Sequence, residues 1–143
     1  MSDDTIKLLR ECNAGIKMGI SSLDDVMEQV QNESLKKILQ DSREIHTRLK
    51  QETKQYLEKY NEEGKEPAAI AKAMSKIKTE LKTLGEDNDC NIADLITDGC
   101  NMGVKSLRKY LNQYKAADED SKKVAKDLID LEEKLTLQMR SYL

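Results

Sequence analysis

The chain has 143 residues, enough for one domain with a core of its own. Charged residues make up 36% and hydrophobic residues 38%, the balance expected of helices with one wet and one dry face. The net charge of −3, with Lys and Arg interleaved among Asp and Glu, lacks the concentrated basic face that nucleic-acid phosphates need, so no nucleic-acid partner is expected.

Phe and Trp are absent, so the core has to be built from Leu, Ile, Val, Met and Ala with five Tyr. No apolar run approaches the roughly 20 residues of a membrane span. The acidic start, Met1-Ser2-Asp3-Asp4, leads straight into an amphipathic pattern, from which no signal peptide is expected. Cys12, Cys90 and Cys100 are odd in number and form no close pair, which fits reduced thiols in a cytoplasmic protein. Cys12 and Cys100 fall on or beside apolar stripes and read as small buried hydrophobes.

The first predicted helix starts after Ser2 or Asp3 and runs to about Gln31. Its stripe is Ile6, Leu9, Cys12, Ile16, Ile20, Leu23, Met27 and Val30, with Ile16 near the centre. Asn32 or Ser34 is the candidate cap of a second helix. That helix has the dry face Leu35, Ile38, Ser42, Ile45, Leu49, Thr53, Tyr56 and Tyr60, and it ends at Gly64. The short connection between the two predicts an antiparallel hairpin. Pro67 then opens a connector helix with the stripe Ile70, Met74, Ile77, Leu81 and Leu84, closed by Gly85. At 1.5 Å per residue it spans about 27 Å, enough to run much of a bundle's length. Asp89 or Asn91 caps a third long helix carrying Ile92, Ile96, Cys100, Gly103, Leu107, Tyr110, Leu111 and Tyr114. Asp118 or Asp120 begins a fourth, with Val124, Leu128, Leu131, Leu135, Met139 and Tyr142 inward.

The two hairpins share a repeat. Cys12-Asn13-Ala14-Gly15-Ile16-Lys17 returns 88 positions later as Cys100-Asn101-Met102-Gly103-Val104-Lys105, with four of six residues identical. Lys36-Lys37-Ile38-Leu39-Gln40-Asp41 aligns with Lys122-Lys123-Val124-Ala125-Lys126-Asp127 at a spacing of 86, which pairs Ile45 with Leu131 and His46 with Glu132. A duplicated helical hairpin is the simplest reading. Gly15 and Gly103 occupy equivalent places, and with Gly19 and Gly99 each helix carries a Gly-x-x-x-Gly pair. A glycine inside a helix costs about 1 kcal/mol against alanine, so these positions are expected to admit a close neighbour.

On Cys12-Asn13-Ala14-Gly15 with Lys17, on Cys100-Asn101-Met102-Gly103 with Lys105, and on the connector at 67–84, the chain resembles an uncharacterised bacterial branch of the ferritin-like (rubrerythrin and ferritin) superfamily. The resemblance covers nearly the whole chain. It implies an all-α, ferritin-like four-helix bundle of two repeated antiparallel hairpins joined by a crossover helix. The whole of 1–143 forms one domain in this scheme, with hairpins at 3–63 and 91–143 and the crossover at 64–90. The family pattern also implies a metal-ligating carboxylate directly after each glycine, where this sequence has Ile16 and Val104.

The residues themselves point away from a di-iron centre. Such a bundle needs inward Glu residues on two helices and a Glu-x-x-His on each of the other two, because one helical turn then brings both ligands to one metal. The single histidine, His46, has Arg43 three residues before it. Glu11 is expected to point away from the dry stripe, Asp24 to sit at its edge, and Asp94 and Asp98 to face the opposite side. Neither a phosphate loop nor a catalytic triad is discernible, so no catalytic or cofactor-binding residue is assigned and no cofactor is expected.

A few polar candidates remain. His46 and Glu132, each some way off the centre of its predicted stripe, pair either with each other as a structural contact or with Asp41 and Asp127 as a metal site. Asn13 and Asn101 read as register-fixing hydrogen-bonding groups. Tyr56, Tyr60, Tyr110 and Tyr114 are expected to converge at one end. The expected role is a non-enzymatic cytoplasmic module acting through a protein partner or self-association, away from membranes and nucleic acid. The alternative is a divergent metal-binding or redox protein using His46 and Glu132.

Overall fold

The computed structural model describes residues 3–60 and 88–143. They form four α-helices: α1 (Asp3–Met27), α2 (Glu33–Lys59), α3 (Asn88–Gln113) and α4 (Glu119–Met139), the last followed by a 3₁₀ turn at Arg140–Tyr142. No strand occurs among the described residues, and no helix among them is long and apolar enough to cross a membrane. The predicted connector helix over 67–84, with Pro67 and its stripe, lies outside the described residues.

Local chemistry sets the helix starts. The Asn32 side chain accepts a hydrogen bond from the Leu35 N–H, and the Asp118 side chain accepts one from the Ser121 N–H, so both cap their helices as expected. At the start of α3 the structure differs. The helix is already formed at Asn88, and the Asp89 carboxylate accepts from the backbone N–H groups of Gln31 (2.8 Å) and Asn32 (2.9 Å). Asp89 therefore ties α3 to the α1–α2 turn instead of capping its own helix.

α1 packs against α2, and α3 against α4, through short connections, so each pair is an antiparallel hairpin; α4 also lies on α1 and α2, and α1 touches α3. The end contacts orient the hairpins. The Asn88 amide donates to the Gln29 side chain at the turn end. At the other end the Asp4 carboxylate accepts from the Ala116 N–H, Thr5 Oγ1 accepts from the Asp118 N–H, and the Tyr60 hydroxyl donates to Asp118. Tyr60 and Asn88 thus stand at opposite ends of a bundle roughly 40 Å long, the rise of 27 helical residues. α2 and α3 run parallel.

The core falls into two clusters. One, at the Asp118 end, gathers Leu8, Cys12, Ile16, Leu49, Leu107 and Leu128, with Tyr56, Tyr110 and Tyr114 packed against it. The other, at the turn end, gathers Leu23, Leu35, Leu39, Ile96, Cys100, Leu135 and Met139. Away from mid-bundle the repeat exchanges them, whereas Ile16 and Val104, and Ile45 and Leu131, share the first. Cys12 lies in the first and Cys100 in the second, while Leu49 lies in the first and its counterpart Leu135 in the second. That is what a two-fold relation across the bundle axis produces. Ile16 is fully buried, and Val104 is half-buried against the same cluster.

The buried face of α2 is Leu35, Leu39, Ser42, His46, Leu49, Thr53 and Leu57, in steps of three or four. The predicted stripe ran one position to the side at Ile38, Ile45 and Tyr56, which are only half-buried. Ile45 is more apolar than His46, so hydrophobicity drew the stripe off the seam there, while at 38/39 and 56/57 two adjacent apolar residues compete and the facing helices decide. α1 buries a wider face than predicted, adding Leu8, Asn13, Ala14 and Val26, because it touches all three other helices.

Candidate functional site

Three buried polar side chains lie where, along their helices, one cluster gives way to the other. On α2 these are Ser42 and His46; on α4 it is Glu132, between Leu131 of one cluster and Leu135 of the other. A glycine stands opposite each large polar group, on the partner helix of its own hairpin. A Cβ added to Gly19 would fall 2.7 Å from His46 Nε2, and one added to Gly103 would fall 2.6 Å from both Glu132 carboxyl oxygens. Both distances are far inside van der Waals contact, so each glycine is a notch that only a missing side chain leaves open. Gly15 and Gly99, read from the repeat as part of the same device, are different. Gly15 makes an ordinary 3.7 Å approach to Leu128, and Gly99 faces open space. The tight notch in α1 lies one turn beyond the position that the repeat equates with Gly103.

His46 is 2% exposed. Its Nδ1 lies 2.7 Å from the Ser42 carbonyl oxygen, one turn back. A carbonyl only accepts, so Nδ1 carries the proton and Nε2 holds the lone pair towards Gly19. Burial holds the imidazole pKa below its ordinary 6.5, partly offset by the hydrogen bond to Ser42, so the ring is neutral at neutral pH.

Glu132 is 8% exposed, and its Oε2 is buried without a hydrogen-bond partner. Burial alone raises its pKa from 4.5 to about 8. The carboxyl group therefore holds its proton at neutral pH, since an ionised carboxylate here would lose its hydration with nothing to replace it. Cys100, one turn from Gly103, is close enough for the Glu132 charge to act on it, and its thiol interacts with Thr136. Burial, reinforced by Glu132, pushes that thiol up to about 12.

The other candidates lie elsewhere. Asp41 pairs with Lys37 at 2.9 Å and Asp127 with Lys123 at 2.7 Å, each one turn along the outer face of its own helix. Asp24 takes a two-pronged ion pair from Arg43 across the α1–α2 hairpin. Asp94 and Asp98 are exposed, and Glu11 reaches Tyr110 of α3. Among the described residues no group of three or more His, Cys, Asp or Glu side chains is placed to hold a metal ion. Asn13 is 4% exposed with its Nδ2 unpartnered, whereas Asn101 is exposed, so the repeat does not make them a matched pair. Cys12 and Cys100 are buried, Cys90 is exposed, and all three are free thiols.

The four tyrosines do gather at the Asp118 end, with Tyr110 and Tyr114 stacked at 6.2 Å and Tyr60 on Asp118. The seating of His46 on Gly19 went unread in the sequence. Its signal was the run of three- and four-residue steps from Leu35 to Leu57, which passes through His46 once polarity is ignored. No family model, curated protein or solved structure matches the chain.

Proposed function

We propose that the chain is a ferritin-like bundle of two duplicated hairpins joined by a crossover, expected from the sequence over 64–90. In this reading it serves in the cytoplasm as a non-enzymatic helical module, acting through a protein partner or self-association. What supports this topology is that Tyr60 and Asn88 stand at opposite ends of parallel helices. The functional reading is carried by Ile16. With none of its surface exposed, it fills the place after Gly15 where the family it resembles keeps a carboxylate. The middle of the bundle is closed by aliphatic side chains and by two polar groups seated on glycines. Its outer faces, including the exposed Met102 and Leu137, are what it offers to other molecules.

One observation favours a second reading, a divergent metal-binding or redox protein using His46 and Glu132: the buried, unpartnered Oε2 of Glu132. Against it, His46 Nδ1 is committed to Ser42, its Nε2 abuts Gly19, and Asp41 and Asp127 are engaged by lysines at the surface. Metal analysis separates the two, using protein expressed in medium replete with iron, manganese and zinc and purified without chelator. The first reading expects only trace metal. One tightly held ion per chain, lost on Glu132→Ala and on His46→Ala, would establish the second.

A further inference from the structure

We infer that Glu132 and the Gly103 notch form a proton-dependent catch that holds α3 on α4, closed while the carboxyl carries its proton and released when it ionises. Three observations place the catch here. The carboxyl group fills the notch so tightly that not even a methyl group fits beside it. Its Oε2 is buried without a partner, so in the closed state that oxygen has no donor to meet a negative charge. And α3 is the least enclosed helix. Asn101 and Met102 (63% exposed) face water where their repeat counterparts on α1, Asn13 and Ala14, are buried.

Among the described residues no other charge competes for the group. From α3, the titratable neighbour is Cys100, whose thiol stays neutral. No charged side chain of α1 or α2 contributes to the Glu132 titration, which burial alone displaces. His46 is hydrogen-bonded to its own helix. Arg108 of α3 is held at the surface by Glu133.

Opening exchanges a buried, protonated carboxyl for a hydrated carboxylate and delivers one proton to water. Between the ordinary value of 4.5 and the buried value of about 8, each pH unit therefore favours opening about tenfold, and above 8 the gain levels off.

The three cysteines supply the readout. Labelling of the full chain with dithiodipyridine, resolved by peptide mass spectrometry, compares Cys100 beside the catch with Cys12 in the other cluster, and exposed Cys90 calibrates the reagent. Between pH 6.5 and 8, where His46 stays neutral, the Cys100-to-Cys12 rate ratio is expected to rise about tenfold per pH unit. It should stay flat in Glu132→Gln and Glu132→Met, either of which suffices if the other does not fold. A constant ratio in the wild type overturns the catch, as do a rise that persists without Glu132 and equal exposure of Cys12 and Cys100.

Discussion

The two hairpins solve one packing problem with two chemistries. In the first, Gly19 receives an imidazole whose single N–H is satisfied by its own helix. In the second, Gly103 receives a carboxyl group with one oxygen left unpartnered. Burial drives both groups to their neutral forms, from opposite directions. Each hairpin thus carries one glycine notch at mid-bundle, at positions one turn apart in the repeat, and the two occupants differ. The cost of the occupant is set by how many of its hydrogen bonds survive burial. On this comparison the first hairpin is the settled one and the second is the pH-sensitive one.

The largest effect comes from removing the sensitive occupant. Glu132 titrates above its ordinary value, so the native state binds more protons than the unfolded chain between pH 4.5 and about 8. Stability from this group is full below that window and is lost as pH rises through about 8. In urea unfolding, Glu132→Gln should match the wild type near pH 5 and exceed it by roughly 4 kcal/mol at pH 8 and above. His46 acts in the opposite sense. Its depressed pKa contributes stability above the ordinary 6.5 that is lost in acid, so His46→Gln should flatten the acid limb alone.

The glycines give smaller effects that rank the notches. Gly19→Ala should cost about 2–3 kcal/mol, because the added methyl group meets a ring held by its bond to Ser42. Gly103→Ala should cost about 1 kcal/mol, since the end of the Glu132 side chain can swing away. Gly99→Ala, facing open space, should stabilise by up to about 1 kcal/mol through helix propensity alone. Thermal melts of the three variants check the order, and equal effects at Gly19 and Gly99 would remove the notch in α1 from the account.

Much of this was legible in the residues. The caps at Asn32 and Asp118, the buried thiols of Cys12 and Cys100, and the tyrosines at one end all follow from local pattern and the repeat. What pattern misjudged has physical causes. Asp89 looked like a cap because its residue type favours one, but its carboxylate bonds across to another turn, a contact no local rule contains. His46 looked marginal because hydrophobicity weights the stripe towards Ile45, whereas the seam is fixed by what faces it, and Gly19 makes room for a ring. Gly15 and Gly103 looked equivalent because the repeat aligns them, but α1 meets its hairpin partner one turn along.

Titration of the Glu132 carboxyl carbon by NMR, on protein labelled with ¹³C-glutamate and assigned with Glu132→Gln, tests the neutral, glycine-seated glutamic acid most directly. The structure predicts a midpoint near 8, well above the ordinary glutamate value of 4.5. A midpoint between 4 and 5 would mean that the carboxyl group is hydrated in the native state, and would contradict both the closed middle of the bundle and the catch built upon it.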